Sequence, residues 1–427
     1  MGDLFPERKA TGEGILPSQE IAALVETGKV CSDGEIGEDQ IQPSSLDLRL
    51  GTEAYRIRAS FLPGRSTTFI QQARTNGMLT DTVDISTGAV LEPNAIYVIP
   101  LMERLALPPD IYGLANPKSS TGRLDIFTRL IPECGDEFER VKRGYSGGLY
   151  IEVVSQTFPI LVRAGMRLNQ LRFGRGRRTA VGEDRLRVLG QRDFLVAPDD
   201  ETGQAMVDRG LRLTVDLEGD GSGVVGYRAK KTTQAIDLGL LNHYEIADFW
   251  TPLLRGQECV LAPGEFYILA SKQRVRIPAD LAAEMLPYDL STQEFRVHYA
   301  GFFDPGFGYG ENGEIPGTRA VLEVRANEMP ILLEDDQFVG RLNYFYMAAK
   351  PDKVYGGTIG SNYQQQGLAL SKQFKREQFA SGAMGRSEAR QSEQAAEMDD
   401  DAEEPARKFD LAAAELAPAM RAGHKDI

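Results

Sequence analysis

The chain has 427 residues, 42 % of them hydrophobic, and a net charge of −14. That length supports two or three domains with real cores. No apolar run approaches the ~20 residues that span a bilayer, and the acidic balance disfavours nonspecific binding to nucleic acid.

In chain order, the opening MGDLFPERK lacks the apolar core of a secretory signal. Residues 17–27 (PSQEIAALVET) are expected to form a helix. Ser18 can cap it, and Ile21, Leu24 and Val25 share one face at helical spacing. Residues 90–101 and 149–162 are short runs of Ile, Val, Tyr and Leu broken by Gly, Pro and Asn, the pattern of strands. Between them stands the hexad Lys118-Ser119-Ser120-Thr121-Gly122-Arg123. Its two hydroxyls and two cations can cradle phosphate oxygens through charge-assisted hydrogen bonds, although a solvated turn opening a helix would look the same. Glu152 follows, ending GYSGGLYIE (144–152) among apolar Leu149, Ile151 and Val153. It is either exposed by strand alternation or a desolvated base whose pKa is set by a cation such as Arg123.

Residues 181–205 are charged and turn-rich and read as a linker. From 373 to 427 Gln, Glu, Ser, Ala and Arg dominate, with an acidic block at 399–404, so this tail is expected to be disordered. A short helix over 409–420 is the one element considered there. Three scattered cysteines, Cys31, Cys134 and Cys259, argue against a disulfide framework, fit a reducing cytoplasm and read as packing residues.

The chain repeats itself. VLEPNAIY (90–97) recurs as VLAPGEFY (260–267), an offset of 170 that holds through Arg104/Arg274, Pro108/Pro278, Asp110/Asp280 and Pro117/Pro287. At an offset of 171, IEV (151–153) matches LEV (322–324) and FPIL (158–161) matches MPIL (329–332). Two copies of one β-rich domain are expected, over 1–180 and 206–372. Many short strands need protected edges, so barrels or sandwiches are expected with few short helices.

Other chemistries leave no trace. Zinc deaminases need H-x-E and P-C-x-x-C ligands, whereas this chain has three histidines and no C-x-x-C, so no zinc site is expected. P-loop and dinucleotide-binding motifs are also missing. The glycine-rich run 306–310 follows Asp304-Pro305 and reads as a turn.

The motifs together resemble the dCTP deaminase / dUTPase family. "ILPSQEIAALVETGKV" and "IQPSSLDLRLG" look like its opening helix and strand, and "PKSSTGR" like its Arg-Ser-Ser-x-x-Arg motif. "GYSGGLYIEV" is similar to the strand ending in its catalytic glutamate. "GMRLNQLRF" (165–173) resembles the strand that carries Gln170. "NYQQQGLALSK" (362–372) resembles the C-terminal segment that closes over the nucleotide, which would use Tyr363, Gln365 and Gln366. The resemblance implies two tandem dUTPase-like distorted β-barrels of the jelly-roll or β-clip kind, with active sites between barrels. It also implies homo-oligomers such as trimers, Mg²⁺ arriving with the triphosphate, and possible dTTP feedback.

The copies diverge in complementary ways. The first keeps Lys118, Ser119, Ser120, Arg123 and Glu152, with lysine in place of the leading arginine. A lysine is a point charge rather than a fork. The second has Tyr288, Asp289, Leu290 and Gln293 at the hexad positions, yet keeps VHYAGFFDPGF (297–307), with His298, Ala300 and Asp304, and Glu323. A composite site is therefore expected, in which the first copy's hexad faces the second copy's hairpin and Glu323. The rival arrangement uses Glu152 and leaves the second copy as scaffold. The implied activity is metal-independent hydrolytic deamination of dCTP to dUTP and ammonia. The alternatives are dUTP diphosphatase activity, alone or after deamination, with Asp304 activating the water, and a nucleotide-binding regulator whose catalysis has decayed.

Overall fold

The computed structural model describes residues 12–192, 194–197, 205–285, 295–297, 301–326, 328–356 and 367–376. It is mainly β, with few short helices. The opening helix runs Ser18–Glu26, so Pro17 rather than Ser18 holds the N-cap position, and no side chain caps it. Ser18 is buried as the first helical residue and its N–H donates to the Pro43 carbonyl, which removes it from a capping role. A helix at Glu183–Gln191 occupies part of the stretch between the two repeats.

One strand order occurs twice. In the first half it is Leu79–Asp84, Glu53–Ile57, Ile96–Ala106, Ser146–Ser155 and Ile126–Pro132. In the second it is Trp250–Leu254, Val224–Ala229, Phe266–Val275, Thr318–Ala326 and Phe295–Val297. A second layer pairs Arg167–Arg175 with Ile111–Pro117, and its counterpart pairs Phe338–Tyr346 with Leu281–Met285. The equivalent strands stand 170–171 residues apart, as the sequence repeat requires.

Both strands that carry the glutamates are covered on both faces. Leu149, Ile151, Glu152 and Val153 are all buried, as are Leu322, Glu323 and Val324. Alternation therefore does not expose Glu152. One apolar cluster joins the two halves: Phe158 packs on Trp250 at 5.6 Å between ring centroids, and Phe374 meets Trp250 edge-on at 5.9 Å. Burying such rings supplies roughly 25 cal/mol per Å² of apolar surface. Phe374 extends the packed chain beyond residue 372, and 377–427 lie outside the described residues. Of the cysteines only Cys259 is buried; Cys31 and Cys134 are exposed, contrary to the packing role expected of them. Among the described residues no helix is long and apolar enough to cross a membrane.

Candidate active site

The hexad begins where the strand Ile111–Pro117 ends, and Ser119–Gly122 makes one helical turn. Residues three and four apart share a helical face. Ser119, Gly122 and Arg123 therefore look one way, and Ser120 and Thr121 look elsewhere.

Against the first of these faces lies Glu323 of the second repeat. A β-carbon built on Gly122 would sit 2.5 Å from the Glu323 Oε1 and Cδ, and closer still to Oε2. Only a residue without a side chain permits that approach. Glu323 is 3 % exposed and sits opposite Ile268 in its sheet. The Ser119 hydroxyl has no hydrogen-bond partner among the described residues, which leaves it available to a ligand.

Several bonds hold the two repeats in this relation. Two residues along from Glu323, Arg325 forms an ion pair with Asp125, which follows the hexad and is fully buried. The Arg325 guanidinium also donates to Thr157 Oγ1 at 3.2 Å, and Thr157 donates to Asp125 at 2.6 Å. The Gly301 N–H donates to Asn116 Oδ1 at 2.6 Å, tying the second repeat's hairpin to the strand just before the hexad. Asp304 accepts a bond from Ser44 and lies 3.6 Å from the buried Arg172, whose guanidinium stacks 4.1 Å over Phe302. The C-terminal segment crosses the same helical turn: Arg123 Nη1 donates to the Ala369 carbonyl at 3.0 Å, and Ser371 Oγ to the Ser120 carbonyl at 2.7 Å.

Glu152 lies elsewhere. It is 1 % exposed, and its cation is Arg129 at 2.6 Å rather than Arg123. Arg129 faces it directly across the strand pair, lies 3.8 Å over the Phe138 ring and donates to Ser60. Glu139 stands nearby, its carboxyl pushed up to about 8 by burial, with the Glu152 charge adding to the rise and Arg129 opposing it. Glu152 makes no hydrogen bond to the hexad.

The remaining candidates divide. Lys118 forms an ion pair with the buried Asp47, whose own carboxyl is raised by desolvation against the pull of Lys118. Gln170 accepts from Ser45 at 2.9 Å and reaches the Pro117 carbonyl at 3.4 Å, so it braces the strand end that launches the hexad. His298, Ala300, Tyr363, Gln365 and Gln366 lie outside the described residues. Asn116, Asp125 and Arg325 were not anticipated, because each acts across the repeat boundary and no local motif marks it.

Two family models match the chain: the 2'-deoxycytidine 5'-triphosphate deaminase N-terminal domain over 12–177 and the C-terminal domain of the same enzyme over 182–374. A Halobacterium salinarum protein named "dCTP deaminase, dUMP-forming" is 34 % identical over 114 residues, 26 % of this chain and 54 % of that protein. A Mycobacterium sp. protein of the same name is 30 % identical over 160 residues, 37 % of this chain and 78 % of that one. The chain thus spans about half of the first relative and over three quarters of the second. The crystal structure of 2'-deoxycytidine 5'-triphosphate deaminase from Agrobacterium tumefaciens superposes with a TM-score of 0.73 at 47 % identity, covering 79 % of this chain and 99 % of that one. By sequence and by structure alike, the chain belongs to the dCTP deaminase family.

Proposed function

We propose that this chain is a dCTP deaminase whose active site is shared between two tandem dUTPase-like barrels, with Glu323 as the proton carrier. The observation that carries the assignment is the Glu323 carboxylate packed against Gly122 within the hexad. Deamination at C4 needs a water deprotonated and N3 and the departing amine protonated, and one buried carboxylate can carry those protons in turn. Water adds to C4, the C–N bond breaks, and dUTP and ammonia leave. Ser119 and Arg123 share the face that meets Glu323, so they are proposed to hold and polarise the reacting groups, while Ala300 and His298 line the base. Lys118 and Ser120 are proposed to take phosphate oxygens, and Tyr363, Gln365 and Gln366 to close the site.

The donor set around the hexad is cationic and hydroxylic, which suits phosphate oxygens better than a protein-held metal. Mg²⁺ is accordingly proposed to arrive as part of the substrate, MgdCTP. Homo-oligomers, dTTP feedback and a cytoplasmic location complete this reading and rest on the family.

The "dUMP-forming" names of several relatives favour a second reading, in which dUTP is hydrolysed further to dUMP and pyrophosphate. Asp304, held by Ser44 and near Arg172, would then orient the attacking water.

The test is dCTP turnover by wild type, Glu323→Gln and Glu152→Gln, following ammonia and pyrophosphate separately. Loss of ammonia release by 10²–10⁴-fold, the order expected for a general base, is predicted in Glu323→Gln alone. A dead Glu152→Gln beside an active Glu323→Gln would overturn the shared site. Wild type silent on dCTP and dUTP would leave a nucleotide-binding regulator. Pyrophosphate from wild type would establish the bifunctional reading.

A further inference from the structure

On the other side of the hexad turn from Glu323 there is a cavity of about 320 Å³. At a water's share of liquid volume this is room for roughly ten waters. Ser120 and Thr121 face it, whereas neither Gly122, Arg123 nor Glu323 lines it. Its polar wall comes from three separate parts of the chain: Lys118 and Asp47, Arg167, and Lys372 with Gln373.

Charge is unbalanced there. Three cations converge on one carboxylate in the wall, Asp47, which is already committed to Lys118. Asp47 is 1 % exposed, and its Oδ1 finds no hydrogen-bond partner among the described residues. Arg167 has a second partner, Asp39, but that carboxylate is mostly exposed and outside the wall. The Lys372 ammonium is pushed down by burial first and then by the neighbouring charges of Lys118 and Arg167, with Asp47 opposing. Like charges held together out of water repel more strongly than they would in solvent. An anion with several oxygens would relieve that repulsion, and Ser120 and Gln373 can add neutral donors.

We propose that this cavity is a phosphoryl-binding site in which Arg167 and Lys372 are the principal ligands. Its occupant is either a free phosphate or pyrophosphate, or the terminal phosphoryl of a bound nucleotide. The segment carrying Lys372 also bonds to Arg123 through Ala369 and to Ser120 through Ser371. A phosphoryl on Lys372 therefore holds this strap down on the hexad and keeps Arg123 in place on the face that meets Glu323. The site extends the reading of the hexad given above but is tested without turnover, so a chain inactive on dCTP would sink the deaminase and leave this proposal standing.

The experiment is calorimetric titration of the full chain with pyrophosphate and with inorganic phosphate, comparing wild type, Arg167→Ala and Lys372→Ala. Each variant is first checked for a cooperative thermal transition. Wild type is expected to bind pyrophosphate, and each variant at least tenfold more weakly. Repeating the titration with dCTP saturating separates the two sources. Continued binding identifies a free phosphoryl ligand. Competition, together with a raised KM for dCTP in Lys372→Ala, identifies the nucleotide's own terminal phosphoryl. Absent pyrophosphate binding, or binding unchanged in both folded variants, overturns the proposal.

Discussion

The carboxylate of Glu323 rests on the α-carbon of Gly122, a contact between residues 201 positions apart that joins the two repeats at the hexad. Alanine at 122 would place a methyl group within 2.5 Å of Oε1. The carboxylate must then move, because the turn beneath is backbone and both strand faces around Glu323 are packed. Gly122→Ala is expected to cost about 1–3 kcal/mol of stability, the usual penalty of overpacking. It is also expected to lower kcat for dCTP by about 10–100-fold, since a misplacement near 1 Å has that scale of effect. Steady-state kinetics beside a thermal melt check this; a Gly122→Ala enzyme with wild-type kcat would show that Glu323 need not sit there.

Arg325 and Asp125 set the same contact from one step away. Glu323 and Arg325 lie two apart on one strand and so project to the same face, meeting Gly122 and Asp125, three apart in the first repeat. Arg325→Ala strands a fully buried carboxylate, and Asp125→Asn leaves the guanidinium without its counter-charge. Breaking a buried pair from either side costs about 3–5 kcal/mol at most. The two changes should be non-additive, with a coupling of about 1–3 kcal/mol in a double-mutant cycle on unfolding. In kinetics kcat should fall in both single variants with KM little altered, and Arg325→Lys should recover part of it. Additive losses, or loss confined to KM, would show that the pair holds the fold together without positioning the base.

Glu152 and Arg129 offer the contrasting case. Their ion pair is buried on the Glu152 side and stacked on Phe138, but no hexad residue takes part. Glu152→Gln keeps a hydrogen-bond acceptor for Arg129 and removes the charge. It should shift the thermal midpoint downward by an amount equivalent to about 1–3 kcal/mol, while deamination stays within about threefold of wild type. Differential scanning calorimetry alongside ammonia release separates these effects; unchanged stability with lost turnover would return the base to the first repeat.

Much of this arrangement was legible in the chain itself. The constant offset between VLEPNAIY and VLAPGEFY announced the duplication, and the strands fall in equivalent order in both halves. The hexad and both glutamates stood out because their residue types carry specific chemistry at family spacing. What the sequence could not convey was burial and long-range pairing. Alternation around Glu152 suggested that one strand face met water, yet both faces are covered, because each sheet packs on its own core and on the other repeat. The cation for Glu152 is Arg129, a cross-strand neighbour 23 residues away whose identity depends on register. Arg325 lies 200 residues from Asp125, and nothing local distinguishes it from any strand arginine.

Glu139 yields a pH test that is independent of catalysis. Burial raises its carboxyl from 4.5 to about 8 in the folded chain, with the Glu152 charge pushing the same way and Arg129 and the Leu130 N–H pulling back. Between these two values the folded state binds a proton that the unfolded state has released. Stability must therefore be highest below about pH 4.5 as far as this group is concerned, and must fall as pH rises through 8. Glu139→Gln cannot ionise, and its amide oxygen can still accept from Leu130. The variant should gain on wild type steadily from about pH 5 to about pH 8, by on the order of 1–3 kcal/mol at the upper end, less than the full shift implies because the side chain is only partly buried. Urea unfolding of both proteins at half-unit pH intervals measures the difference directly. A gap that stays constant across that range would mean Glu139 keeps an ordinary carboxylate pKa in the folded protein.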